Sequence, residues 1–194
     1  MNKFNQREQT RLITMSAILI AIVFILQFMG SFIRFGVFSI SLVLVPIVIG
    51  AALCGVGVGA LLGLVFGIAV LLSGDATSFF AISIPGTIIT VLAKGVLCGT
   101  VAGLVYKLFA KKNKVLAVFL TAIICPIVNT GVFLLGCFVF FLDAIKEMAR
   151  KAEFATAVEF MIIAFVGGNF VFEVLVNAIL SPVIIRILNI RKIR

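Results

Sequence analysis

Long apolar runs separated by short polar or glycine-rich breaks dominate the chain. The first, Leu12 to Met29, follows a polar head, Met1 to Arg11, and stops at Gly30-Ser31. Val37 to about Leu53 is the second and Gly55 to Leu72 the third, with only an uncharged, glycine-rich turn between them. A polar-to-mixed stretch, Ser73 to Gly86, leads into Thr87 to about Leu108; Val115 to Leu142 and about Val158 to Leu188 complete the pattern. A bilayer span takes roughly 20 apolar residues. The pattern therefore predicts an all-α membrane protein, with six transmembrane helices in one compact bundle and a single domain over residues 1–194. The first run resembles the apolar region of a signal peptide, but it is longer than such regions and lacks a small-x-small cleavage site, so it reads as a true span.

Composition agrees. Of 194 residues, 63% are apolar and 12% charged, against about 45–50% and about 25% in soluble domains, and the mean hydropathy is +1.36. Histidine is absent, which removes the commonest general base and transition-metal ligand. No metal site and no cofactor is expected. Cys54, Cys98, Cys125 and Cys137 lie in apolar surroundings without C-x-x-C spacing and read as small packing residues. The net charge of +9 is a matter of topology. Lys3, Arg7, Arg11, Lys107, Lys111, Lys112, Lys114, Arg186, Arg191, Lys192 and Arg194 all flank one face of a six-span arrangement. By the positive-inside rule that face, with both termini, is cytoplasmic. The basic excess is not a nucleic-acid footprint.

Two helices carry glycine ladders. Gly55, Gly59, Gly63 and Gly67 recur at every fourth residue on the third span, and Gly95, Gly99 and Gly103 do the same on the fourth. Each ladder occupies one helical face, where a neighbouring backbone can come close, so these helices are expected to pack tightly. Similarity between the two stretches is open to two readings, a duplication or a shared packing need. On the first span Ala17 and Ala21 form a small-x-x-x-small pair, a docking face for another helix.

Charge inside a span is expensive, about 2.5–3.5 kcal/mol on insertion scales, and marks function by default. Lys94 and Glu173 are such residues. Asn169, Glu173 and Asn177, at i, i+4 and i+8, draw a polar stripe along the sixth span. Asn129-Thr130 follows Pro126, whose ring frees the carbonyl of Ala122. At 1.5 Å per residue these groups converge on the outer half and middle of the bundle, beneath loops bearing Arg34 and Asp75. A pocket built from Lys94, Asn129, Thr130, Asn169, Glu173, Arg34, Asp75 and Phe133 is expected there. A second reading stays open: Lys94 and Glu173 form a buried ion pair joining two helices, and the asparagines are interhelical hydrogen bonds. The connection from Asp143 to Glu159 is expected to be helical, either capping the pocket or simply solvated.

Taken together, six short spans, the Ala17-x-x-x-Ala21 pair, the ladder from Gly55 to Gly67, the polar segment Cys125-Pro126-Ile127-Val128-Asn129-Thr130 and the stripe on the last span resemble the substrate-binding S components of energy-coupling factor (ECF) vitamin transporters. The chain departs from the family pattern at Gly55-Val56, where members often have Gly-Pro. Its acidic residue after the third helix, Asp75, comes slightly late. The resemblance implies a binding subunit of the bacterial plasma membrane that captures a water-soluble vitamin from outside. A transmembrane coupling protein and two ATPase subunits would supply the energy, and the subunit would topple with Ala17 and Ala21 against its partner. The chain itself has no G-x-x-x-x-G-K-[ST] loop for ATP.

Without tryptophan, and with its one tyrosine, Tyr106, at the far end of the fourth span, the pocket could stack an aromatic ring only on Phe79, Phe80, Phe133 or Phe172. Aromatic vitamins are therefore disfavoured. Lys94 suits a carboxylate, and Asn129, Asn169 and Glu173 suit hydroxyls and amides. Pantothenate is the first choice, ahead of folate, riboflavin and a pyridoxine-type ligand. The rivals are a membrane-embedded lipid-modifying enzyme and a small stand-alone channel or exporter. The seven acidic residues form no tight constellation for the first, and the sixth span below Asn177 is too apolar for the second.

Overall fold

A computed structural model describes residues 3–31, 34–35, 38–39, 42–167 and 169–192. Helix α1 (Lys3–Ser31) is followed by a two-stranded antiparallel hairpin, β1 (Arg34–Phe35) and β2 (Phe38–Ser39), then α2 (Leu44–Cys54) and α3 (Val56–Ser73). A single-turn α4 (Thr77–Phe80) leads into α5 (Ile84–Phe109) and α6 (Lys114–Phe140). Helices α7 (Leu142–Lys151) and α8 (Ala157–Phe160) precede a π-helical segment, Met161–Gly167, and α9 (Asn169–Lys192). Among the described residues, five helical stretches are long and apolar enough to cross a membrane: Gln6–Ser31, Val56–Ser73, Ile84–Phe109, Lys114–Phe140 and Ala157–Arg186.

The expected second span, 37–53, needs correction. Phe38 and Ser39 pair as a strand and the helix begins only at Leu44. The reason is visible in the alternation Phe38-Ser39-Ile40-Ser41-Leu42, a period of two that suits a strand. What remains, α2, has 11 residues, about 16 Å of helix, too short to span alone and typical of a buried core helix. Eight of its residues, including Val45, Ile47 and Val48, are buried. Helix α1 also reaches back into the polar head, starting at Lys3 and not Leu12. Helix α5 starts at Ile84 because Ser83 caps it, its side chain accepting from Gly86 N at 3.3 Å, and Pro85 fits the first turn. The fifth expected span ends at Phe140, since Phe141 leaves helical geometry.

The glycine ladders meet, except for Gly55, which precedes α3 at φ 93° and whose Cβ would touch nothing within 4 Å. A methyl group on Gly63 would overlap the carbonyl oxygen of Gly95, and one on Gly99 that of Gly59. Gly103 faces Val56 Cα, where a Cβ would come within 2.6 Å. The pairs Gly59–Gly99, Gly63–Gly95 and Gly67–Val91 run in opposite directions along the two sequences, so α3 and α5 are antiparallel with backbones in contact. Gly86 against Phe140 and Gly136 against Thr90 make α5 and α6 antiparallel too.

Near the end of α1, the Gln27 side chain donates to Ser73, the last residue of α3, and to Asp75 just after it. Helices α1 and α3 thus finish at the same end, and the stretch between them has to return across the bundle. This geometry gathers Arg7, Arg11, Lys107, Lys111, Lys112, Lys114 and Arg186, all exposed, at the opposite end. Of the helix expected from Asp143 to Glu159, α7 is present, but residues 152–156 leave helical geometry before α8. Helix α7 turns Asp143, Lys146, Glu147, Arg150 and Lys151 outward and buries Ile145 and Ala149 with Phe79, Phe160 and Phe165. Asp143 in its first turn and Arg150 and Lys151 in its last suit the helix dipole. Cys98, Cys125 and Cys137 are buried free thiols and Cys54 is half-buried.

Candidate functional site

The half of the bundle that holds the α3–α5 connection contains a cavity. Its walls come from α1 (Gln27), α3 (Phe66, Val70), the connection (Asp75, Ala76, Phe79), α5 (Thr87, Thr90, Val91, Lys94), α6 (Asn129, Thr130, Phe133), Phe141, the π-helical segment (Phe165) and α9 (Phe170, Glu173).

Six of the eight expected pocket residues therefore share this cavity: Lys94, Asn129, Thr130, Glu173, Asp75 and Phe133. The side chains of Arg34 and Asn169 lie outside the described residues. Asn177, the third member of the polar stripe, is buried below: its Nδ2 donates to the carbonyl of Glu173 at 2.8 Å, and Ser181 Oγ donates to the carbonyl of Asn177 at 3.1 Å. Ala17 and Ala21 are exposed, away from the core.

Helix register explains the convergence. Thr90 and Lys94 are one turn apart on α5, and Asn129 and Phe133 one turn apart on α6, so each helix offers a polar and a neighbouring group on the same face. The Lys94 ammonium lies 5.5 Å from the Phe66 ring centroid and 5.3 Å from that of Phe133, the geometry of a cation held against aromatic faces. It closes no salt bridge with Glu173; among the described residues an ion pair forms between Lys146 and Asp143, 3.0 Å apart on exposed α7. The buried ion-pair reading of Lys94 and Glu173 thus gives way to two charged groups on the walls of one cavity.

Three cavity atoms have no protein partner: Thr90 Oγ1, Asn129 Oδ1 and Glu173 Oε2. Their residues are 3%, 5% and 3% exposed. An unsatisfied buried polar group costs about 1–3 kcal/mol, a cost that a ligand bonding to it would remove.

The aromatic wall differs from expectation. Phe79 and Phe133 line the cavity, but Phe80 does not, and Phe172 is 38% exposed. Phe66, Phe141, Phe165 and Phe170 take part instead. Phe79 anchors the group, with ring centroids 5.4 Å from Phe133 and 5.1 Å from Phe141. Without tryptophan, six phenylalanines still line the cavity, which weakens the case against a flat ligand.

Gln27 and Thr90 are absent from the sequence-based expectation. Gln27 carried a signal, an amide within an apolar run, but its place one turn from the helix end reads as an interfacial residue. Thr90 carried none, because threonine in a span commonly bonds to its own backbone.

A family model described as ECF transporter, substrate-specific component, matches residues 11–188. No curated protein and no solved structure matches the chain.

Proposed function

The chain belongs to the substrate-specific components of ECF transporters, and from that premise we propose that its cavity captures a small water-soluble vitamin. As a member of that family it is a transporter's substrate-binding subunit and not an enzyme. Pantothenate is the first choice of ligand, with folate, riboflavin and a pyridoxine-type ligand behind it. The phenylalanine wall narrows the margin over the ring-bearing candidates.

The observation that carries this reading is the meeting of Lys94, Asn129, Thr130, Glu173 and Asp75, from three helices and a loop, in one phenylalanine-walled cavity. Lys94 receives the acid end of the ligand, where a charge-assisted hydrogen bond is strongest. Asn129, Thr130 and Glu173 meet hydroxyl and amide groups, and Phe133 packs on the ligand body. Asp75, and with it Arg34 and Asn169, belongs to the mouth of the same site.

In the bacterial plasma membrane, the cavity half faces outward and the basic end, with both termini, faces the cytoplasm, in keeping with the positive-inside rule. The segment through the hairpin and α2 makes the second of six crossings, and residues 1–194 act as one domain. The coupling protein and two ATPases are the partners, docking on Ala17 and Ala21. Calorimetry of the purified chain against the four vitamins, without ATP, tests the proposal. Tight binding of one is expected, and binding of none overturns it.

A further inference from the structure

Building on the capture reading, we infer that the site selects a ligand presenting at least two hydrogen-bond donors, O–H or N–H, on one edge, and that Thr90 helps to read that edge. Thr90 Oγ1 and Glu173 Oε2 lie on different helices, line the same cavity and lack protein partners. Both residues are more than nine-tenths buried. The unpartnered Asn129 Oδ1 in the same cavity only accepts, as does the Glu173 carboxylate whenever it is ionised. A hydroxyl accepts as well as donates. The complement to this edge is a run of donors. A ligand edge built of acceptors, such as an ether or a second carboxylate, would leave Glu173 unpaired and place like groups together.

Thr90 sits where it does because of Gly136. A Cβ at Gly136 would lie 2.8 Å from Thr90 Cβ and overlap the rest of that side chain. The missing side chain on α6 is therefore the space in which the threonine stands, at the contact of α5 with α6. Four residues on, Lys94 supplies the opposite chemistry, three donors and no acceptor. The cavity thus offers acceptors to one part of a ligand and a cation to another, a polarity that orients the bound ligand.

The test uses the full chain in detergent with pantothenate, pyridoxine, riboflavin and folate as probes. Each alcohol-bearing vitamin is paired with its fully O-methylated derivative. For a vitamin that binds, loss of affinity of about tenfold or more is expected in Thr90→Val and in Glu173→Gln, and near-wild-type affinity in Thr90→Ser, which keeps the hydroxyl. The methylated derivative should bind at least about tenfold more weakly to the unaltered protein, a comparison that needs no variant to fold. Equal affinity of Thr90→Val, Glu173→Gln and wild type, or of a vitamin and its methylated derivative, overturns the donor-edge inference and leaves vitamin capture standing. Binding of no probe overturns vitamin capture and the inference with it.

Discussion

Gln27 Nε2, near the end of α1, donates to Asp75 Oδ2 at 2.5 Å, and it also lies 3.2 Å from Ser73 Oγ. One amide thereby ties the helix that carries Ala17 and Ala21 to the turn at the edge of the cavity. Gln27 is 3% exposed and lines the cavity itself, so this contact ties the end of α1 to the ligand site.

Replacing that amide should loosen the turn. Gln27→Leu keeps the bulk but removes the donors to Asp75 and Ser73, and vitamin affinity should fall about tenfold, equivalent to about 1.4 kcal/mol. Calorimetry on the variant checks this; wild-type affinity would show that the contact does not hold the site.

Lys94→Ala and Asn129→Ala should each weaken vitamin binding. A hydrogen bond to a charged group contributes about 1.5–3 kcal/mol, so Lys94→Ala should cost roughly tenfold or more. If both variants bind as tightly as wild type, the ligand lies elsewhere.

The ladder between α3 and α5 predicts a contrast within one helix. Gly63→Ala would drive a methyl into the Gly95 carbonyl, whereas a Cβ on exposed Gly57 meets nothing within 4 Å. Overpacking costs typically about 1–3 kcal/mol, so the melting temperature of Gly63→Ala in detergent should drop clearly while that of Gly57→Ala holds. Equal melting temperatures would contradict the close helix contact.

Ala17→Trp and Ala21→Trp place bulk on an exposed face. Vitamin binding by the isolated chain should remain while uptake by the assembled transporter is lost, as measured by radiolabelled vitamin accumulation in cells. Loss of binding instead would assign these alanines to the packing of the bundle.

Much of this architecture is a local property of the chain and could be read from it. A span is a run of consecutive apolar residues, and Leu12 to Met29 or Val115 to Leu142 declares itself without reference to any other segment. Spacing by four puts Gly59, Gly63 and Gly67 on one face, and Gly95, Gly99 and Gly103 on another, wherever the helices lie. The cost of burying charge singled out Lys94 and Glu173, and the stripe singled out Asn177. What only the tertiary structure decided is which faces meet and at what depth. The rotation of α5 and α6 about their axes brings Thr90 and Asn129 to one wall, and that of α9 sends Asn177 below it and turns Phe172 outward. The return of the chain to α1 puts Gln27 beside Asp75, 48 positions away in sequence. The strand at Phe38–Ser39, where an unbroken helix was expected, shows the same limit: alternation competed there with a hydropathy that a window of 17 residues averages away. Hydropathy adds along a helix and can be summed residue by residue, but a binding site depends on the relative rotation and depth of several helices, and those are set by packing between segments far apart in the chain.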